Sequence, residues 1–97
     1  MNIFIDFETH YDTGYSLREL SIAEYVRDPR FKVLGCSIAV DDAEIVWYEG
    51  DNLPAFPWST SRVIAHNMLF DGFILIEHFN VVLGHHFKQA DFASQSL

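Results

Sequence analysis

The chain has 97 residues, of which 49% are hydrophobic and 15% aromatic, as in one small globular domain. This composition excludes a disordered tail or a fibrous repeat. Six Lys and Arg against 14 Asp and Glu give a formal net charge of -8, which excludes a protein that grips nucleic acid by a basic surface alone. An acidic chain can still act on a polyanion when divalent cations lie between its carboxylates and the phosphates.

The cysteine content and the N-terminal sequence predict a cytoplasmic protein. Cys36 is the only cysteine, so no disulfide can form within the chain. The N-terminal MNIFIDFETH carries acids where a signal peptide needs a basic region and an apolar run, and no stretch approaches ~18 uninterrupted apolar residues. We therefore expect no membrane contact.

The first quarter of the chain predicts a strand and a short helix. Residues 2–8 carry apolar side chains on both faces, as a central strand does. Residues 17–26 have helical spacing, with Ser16 as the N-cap and Pro29 as the far limit.

The middle of the chain predicts a hairpin and a crossing loop. Residues 32–40 and 43–48 are β-rich, and Asp41 and Asp42 between them favour a two-residue turn. Residues 50–61 contain two prolines and predict an irregular loop.

The last third of the chain predicts one more strand and two helices. Arg62–Ala65 reads as a short strand, and residues 68–79 as a largely buried helix with Asn67 as its N-cap. Gly72 lies inside that helix, which predicts the close approach of another backbone or of a substrate. Residues 84–97 lack proline and predict a final amphipathic helix.

This order predicts one α/β domain over residues 1–97. An antiparallel meander is followed by a strand that returns parallel to the first strand, and helices cover the faces of the resulting mixed sheet.

Three carboxylates in this arrangement predict a metal site. Asp6 and Glu8 are two apart on a strand, so both project from one face, roughly 6.6–7 Å apart at the backbone. If Arg62–Ala65 lies parallel to the first strand, the start of the following helix approaches the open end of that strand, and Asp71 joins the two acids. Three such oxygen ligands suit Mg²⁺ or Mn²⁺.

Each acid also has an ordinary structural interpretation. An Asp near a strand end is commonly a solvated group, and Asp71 in the first turn of a helix interacts favourably with the helix dipole. The metal interpretation is favoured because Glu8 belongs to an apolar strand, where an unpaired acid is costly to bury.

Two motifs resemble those of a known family. IDFET at residues 5–9 resembles the first motif, and AHNMLFD at residues 65–71 the second, of the DEDD superfamily of 3′–5′ exonucleases, which are DnaQ-like with an RNase H-like fold. YVRDPRFKVL at residues 25–34 is similar to the segment between these motifs in the proofreading domain of phage family A DNA polymerases. The resemblance covers residues 1 to about 80 and implies an RNase H-like mixed sheet with flanking helices, truncated or minimal.

The resemblance implies a catalytic function for the three acids. Asp6, Glu8 and Asp71 would hold two Mg²⁺ or Mn²⁺ ions that promote in-line hydrolysis of the terminal phosphodiester of DNA.

The resemblance also implies three substrate-binding residues. Thr9, Asn67 and Phe70 would line the cleft for the terminal nucleotide, and ordinary core packing is the alternative for Phe70.

The third motif of the family supplies a fourth Asp and a Tyr or His base, and here two interpretations stay open. In the first, the chain is truncated and the catalytic helix is absent, since only 26 residues follow Asp71. In the second, the motif is miniature: His86 is the catalytic base and Asp91 a metal ligand, because they have the spacing of the His-type branch, although Lys88 replaces a small residue. A transition-metal pair of His85 and His86 is a weaker option, since adjacent helical residues do not face one site.

The sequence therefore predicts a metal-dependent 3′–5′ exonuclease that acts on a single-stranded or frayed DNA 3′ end. We expect a phage origin, hence the host-cell cytoplasm, and a DNA polymerase subunit or a second copy of the chain as a partner that supplies missing parts. The alternative is a fragment or accessory module that binds polymerase or DNA without hydrolysis. A purely structural domain would bind no metal.

Overall fold

The computed structural model of the chain describes residues 1–94. Its helices and strands are, in chain order, β1 (Asn2–Thr9), α1 (Ile22–Arg27), β2 (Val33–Val40), β3 (Val46–Glu49), β4 (Arg62–Ala65), α2 (Met68–Phe73) and β5 (Phe92–Ser94). Helix α2 runs on directly into a π-helix, Ile74–Val82. Single 3-10 turns occupy Trp58–Thr60 and Gln89–Asp91.

The five strands form one mixed sheet in the order β3-β2-β1-β4-β5. Strand β2 pairs antiparallel with both β1 and β3, whereas β4 pairs parallel with β1 and β5 parallel with β4. The predicted antiparallel meander and the parallel strand beside the first are confirmed. Because β1 is central, its side chains determine what lies on each face of the sheet.

One face of the sheet packs against the helices. Alternation along β1 directs Ile3, Ile5 and Phe7 to this face, where all three are buried. The rings of Phe7 and Phe79 stack at 5.4 Å, which joins the sheet to the π-helix. The other buried apolar residues of this single core are Tyr15, Tyr25, Val26, Val33, Cys36, Ile38, Val63, Ala65, Ile74 and Leu75.

The opposite face of the sheet carries Asp6 and Glu8. Across the β1/β2 ladder, Asp6 lies beside Ser37 and Glu8 beside Gly35. Both acids are exposed. The prediction that helices cover both faces is wrong for residues 1–94, since the described helices pack on one face only. The two acids therefore remain accessible.

Helix α1 starts later than the sequence predicts. Ser21, not Ser16, is its N-cap: the Ser21 hydroxyl accepts from the Glu24 N–H at 3.2 Å, and the Glu24 carboxylate accepts from the Ser21 N–H at 2.9 Å. This reciprocal pair satisfies two N–H groups that a helix start leaves open. The predicted helical start at residue 17 is wrong because residues 16–20 form turns.

The hairpin between β2 and β3 is wider than the predicted two-residue turn. Asp41 has a φ of 50°, in the left-handed region that Asp tolerates better than most residues, and its carboxylate accepts from the Asn2 N–H at 2.8 Å. Strand β3 then begins at Val46 rather than at residue 43. The contact with Asn2 ties this turn to the start of β1.

The helix after β4 begins where the sequence predicts and extends further. It starts at Met68 with Asn67 at the N-cap position, as predicted, although the Asn67 side chain makes no capping hydrogen bond. The π-helix carries it to Val82. A Cβ on Gly72 would lie 3.0 Å from Sδ of Met68 and 3.3 Å from the Phe92 ring. The close approach at Gly72 is therefore made by the side chains of Met68 and Phe92, and not by the predicted backbone or substrate.

The predicted final helix over residues 84–97 is wrong within the described residues. Residues 84–88 form no regular secondary structure and lead through the 3-10 turn into β5, which adds to the free edge of β4. Residues 95–97 of that prediction lie outside the described residues. No helix in the described part of the chain has the length and apolar character needed to cross a membrane.

The capping box predicts a measurable difference between two serines. Ser21→Ala should lower the free energy of unfolding by about 1 kcal/mol, because it removes a cap. Ser16→Ala, its control, should cost less than about 0.5 kcal/mol, since the Ser16 hydroxyl accepts only the Arg18 N–H at 3.3 Å. Urea denaturation of both variants measures this, and equal losses would contradict the observed helix start.

Candidate functional site

The site is built at the end of β1, where that strand outruns β4. The parallel ladder joins Asn2 to Arg62 and extends to Phe4 and Ile64, after which β1 continues without β4 beside it. The chain turns from β4 into α2 at this point and brings Asp71 to the open edge of β1. Asp71 Oδ1 accepts a hydrogen bond from the Phe7 N–H at 3.3 Å. A side-chain carboxylate thus occupies the place of a strand partner.

Asp71 is buried, with 2% of its surface exposed. Burial raises the pKa of its carboxyl group to about 7, because the charged form loses hydration. The Phe7 N–H opposes this shift by stabilising the anion, whereas the negative charges of Asp6 and Glu8 raise the pKa further. This electrostatic coupling shows that the three predicted acids lie in one region.

Burial and the charges of nearby acids also affect the thiol of Cys36. Cys36 lies across the ladder from Phe7 and is buried. Burial, with the charges of Asp6 and Asp71, raises the pKa of its thiol to about 11. Cys36 is therefore an unreactive core residue at neutral pH.

The three acids do not form a preassembled cage. No group of three His, Cys, Asp or Glu among residues 1–94 is arranged closely enough to hold a metal ion. Without a cation, neighbouring carboxylates repel one another, and the exposed side chains of Asp6 and Glu8 are free to turn into solvent. The donor set itself, three carboxylates with one in a buried position, has the oxygen chemistry that Mg²⁺ or Mn²⁺ prefers.

A pocket of about 280 Å³ adjoins Glu8. Thr9 and Phe70, two of the predicted substrate-binding residues, line it together with Tyr11 and Leu17. Tyr11 is 74% exposed and Leu17 44% exposed, so this rim presents apolar surface to solvent beside the acids. The pocket has the size and character for a planar apolar group.

The Thr9 side of this pocket is held by a chain of hydroxyl groups. The Tyr25 hydroxyl donates to the His10 carbonyl, so the Thr9 hydroxyl donates to the Tyr25 oxygen at 2.8 Å. The Tyr15 hydroxyl donates to the Tyr25 carbonyl, and the two rings stack at 4.5 Å. The wall therefore belongs to the core and is rigid.

The third predicted substrate-binding residue takes another position. Asn67 is exposed, and its carbonyl accepts from the N–H groups of Phe70 and Asp71 at 3.1 Å and 2.9 Å. It does not line the pocket of Thr9 and Phe70. Its observed role is to start the helix that carries Asp71.

His86 and Asp91 lie at the opposite end of the sheet from the three acids. Asp91 directly precedes β5, whose Phe92 pairs with Val63, the residue that pairs with Ile3. Asp91 is therefore level with the start of β1, four to six residues or roughly 13–20 Å of strand from Asp6 and Glu8. The structure does not bring the predicted miniature third motif to the site, because the predicted helix is absent: His86 lies in an irregular segment and Asp91 in the 3-10 turn before β5.

Two neighbours of the acids were missed by the sequence reasoning. His66 lines a shallow depression of about 550 Å³ together with Asp6 on the open face of the sheet. Its position directly before Asn67 in the second motif was a usable signal. Tyr11, which the sequence analysis does not single out, is a large exposed aromatic residue two positions after the end of β1.

The arrangement gathers three carboxylates at one strand end, beside a pocket of the size of a planar group. Comparison of the chain with protein-family models, with curated proteins and with solved structures finds no match. The residues of the site therefore carry the functional argument by themselves.

The raised pKa of Asp71 predicts how stability depends on pH. The folded protein binds this proton more tightly than the unfolded chain, whose ordinary value is 3.8, so stability should fall as pH rises from about 4 to about 7. The full loss should be about 2–4 kcal/mol. Asp71→Asn keeps an oxygen for the Phe7 N–H but cannot ionise, so it should be more stable than the wild type at pH 8 in EDTA.

Urea denaturation of both proteins between pH 4 and pH 8 measures this difference. Asp42→Asn, a change of the same kind in the exposed turn after β2, should follow the wild-type curve. An Asp71→Asn curve parallel to that of the wild type would show that Asp71 ionises normally.

Proposed function

We propose that this protein is a metal-dependent 3′–5′ exonuclease with an RNase H-like fold, acting on the 3′ end of DNA. The observation that carries the proposal is the buried Asp71 carboxylate, held against the Phe7 N–H and electrostatically coupled to Asp6 and Glu8. An ionisable group in this position lowers stability at neutral pH, which is the mark of a group kept for function.

The sheet supports the proposal. A meander followed by a strand parallel to the first is the arrangement that the two motifs imply. This arrangement places the first motif on the central strand and the second at the turn from β4 into α2. Both motifs then meet at one end of β1, although 62 residues lie between Glu8 and Asp71 in the chain.

The donor set fits two divalent ions. Asp6 and Glu8 offer exposed carboxylates on one face of β1. Asp71 offers a buried carboxylate beside the Phe7 N–H of the same strand. When bound, such ions neutralise the phosphate and favour attack by water on phosphorus. The carboxylate charges that raise the pKa of Asp71 would be neutralised at the same time.

The pocket beside Glu8 supports a nucleotide substrate. Phe70 and Tyr11 provide aromatic surface for a base or sugar, and the Thr9 hydroxyl lies at its wall. The only charged side chain lining this pocket is that of Glu8, so the phosphate must be held through cations and not by a basic cleft. With a net charge of -8, the chain would hold DNA weakly by itself, and a DNA polymerase or a second copy is the partner class that would keep a 3′ end in place.

The position of His86 favours a second candidate function. Because His86 and Asp91 lie at the far end of the sheet, residues 1–94 place no third motif beside the three acids. A general base and a fourth carboxylate would come from outside the described residues or from a partner. Without this base and carboxylate, the chain would retain the three acids but would only bind polymerase or DNA. Cleavage assays distinguish this binding module from an exonuclease.

Removal of one metal ligand should abolish cleavage without unfolding the protein. Asp6→Asn should lower the rate of Mn²⁺-dependent shortening of a 3′-labelled single strand by about 10²–10³-fold. Its melting temperature in EDTA should equal or exceed that of the wild type, because the change removes carboxylate repulsion. Asp42→Asn is the matched control and should cleave at the wild-type rate.

These assays separate the two functions. Wild-type cleavage that Asp6→Asn removes supports the exonuclease. Cleavage retained in Asp6→Asn would contradict the site. Mn²⁺ binding that depends on Asp6, with no cleavage by the wild type in any metal, would identify the binding module.

The location of Asp91 yields a prediction about metal affinity. Isothermal titration with Mn²⁺ should show an affinity within twofold of the wild type for Asp91→Asn. Asp71→Asn should weaken binding by at least tenfold, since it removes the buried ligand. An equal loss of Mn²⁺ affinity in the two variants would show that Asp91 is a metal ligand and would contradict this prediction.

A further inference from the structure

A second pocket lies at the opposite end of the sheet from the three acids. It has a volume of about 370 Å³ and is lined by the loop around Trp58 and by residues 84–88. Val63 of β4 and Phe92 of β5 form part of its lining. We call it the tail pocket, and the side chains that matter below are those of Trp58, His85, His86, Phe87 and Lys88.

The tail segment is fixed in place by one side chain of the π-helix. The Asn80 amide donates to the Phe87 carbonyl at 2.8 Å, and the Asn80 Oδ1 accepts from the Phe87 N–H at 2.7 Å. Asn80 thus bonds Phe87 as a neighbouring strand would. The His85 N–H adds a third bond, to the Phe79 carbonyl at 2.8 Å.

The facing loop is equally constrained. The Trp58 indole N–H donates to the Pro54 carbonyl at 3.0 Å, and the Ser61 hydroxyl donates to the Pro57 carbonyl at 2.7 Å. Since both walls are held by hydrogen bonds within the protein, the cavity is preformed. A ligand would enter it without ordering either segment.

The lining of the tail pocket is aromatic. Trp58 meets Phe87 edge to face at 5.3 Å, and the His85 ring stacks on Phe87 at 5.8 Å. Trp58 and Phe87 are half-buried, so part of each ring still faces the cavity. Such surfaces stack on flat rings whatever their substituents.

The tail pocket lacks the acidic excess of the chain as a whole, because Lys88 balances Asp91 in its lining. Lys88, one of only two lysines in a sequence of net charge -8, lines it together with His85 and His86. Asp91 is the single acid in the lining. Lys88 and His86 are exposed, so their nitrogen atoms can reach an anion at the mouth. The pocket therefore pairs aromatic walls with hydrogen-bond donors for an anion.

We propose that the tail pocket binds one nucleotide unit, with its base against Trp58 and Phe87 and its phosphate at Lys88 and His86. The unit is a free nucleoside monophosphate or one residue of a single strand. This is a binding function that requires no metal, and it stands apart from the carboxylate site. It would hold, some distance from that site, a strand that the acidic surface otherwise repels.

The test is a two-dimensional amide NMR titration of the whole chain in EDTA at low salt. Thymidine 5′-monophosphate and a short oligothymidylate are the probes. Two further compounds are controls: thymidine has the base without the phosphate, and ribose 5-phosphate has the phosphate without the base. We expect saturable shifts at residues 56–59 and 84–92 with at least one of the two probes, and affinities at least threefold weaker for each half. The probe that binds more tightly identifies the free nucleotide or the strand as the source.

Two lysine variants make the result specific. Lys88→Gln should weaken binding by about 3–10-fold, the loss of one charge-assisted contact. Lys32→Gln removes the same charge from an exposed residue directly before β2, and it should leave the affinity for the probe within twofold of the wild type. The amide spectrum of each variant also reports whether it is folded.

Three outcomes would overturn the proposal. They are no saturable shift at the tail pocket with either probe, equal affinity for ribose 5-phosphate and the nucleotide, and equal weakening by the two lysine variants. None of them bears on the exonuclease, because cleavage needs metal and Asp6, whereas this titration is done without metal.

Discussion

The end of the β1/β4 ladder is the constraint on which the site depends. Parallel pairing stops at Phe4 and Ile64, so the Phe7 N–H would be left without a partner in the interior. The Asp71 carboxylate accepts that N–H, and this contact positions the start of α2 over the open edge of β1. The need to satisfy this N–H group therefore places Asp71 in the core, close to the exposed Asp6 and Glu8.

That solution has an electrostatic cost. A neutral acceptor would satisfy Phe7 without the charge, yet the chain keeps an Asp whose pKa rises to about 7. Because burial is the largest cause of the shift, with Asp6 and Glu8 adding to it, a cation that neutralises all three acids would relieve much of the penalty. In the proposed function, the charge that lowers stability at Asp71 is the same charge that would bind the metal ion.

Strand direction separates the two candidate sites. Strands β1, β4 and β5 are parallel, so the start of each lies at one end of the sheet and the acids of β1 at the other. The aromatic tail pocket forms at the first end from the segment that leads into β5. Its rigidity comes from Asn80, which is placed there by the π-helical extension of α2.

The sequence by itself determined the elements with strong local signals. The alternation in residues 2–8, the β-run Arg62–Ala65 and the start of the helix at Met68 needed no tertiary information, and they placed Asp6, Glu8 and Asp71 together. Only the tertiary structure decided the tail: residues 84–97 have adequate helix formers, but the free edge of β4 carries backbone groups that an added strand can pair and a helix cannot. Because the chain enters β5 at the start of the sheet, His86 and Asp91 lie at the end far from the acids. Their distance from the acids depends on strand pairing with residues remote in sequence, and not on the spacing between His86 and Asp91.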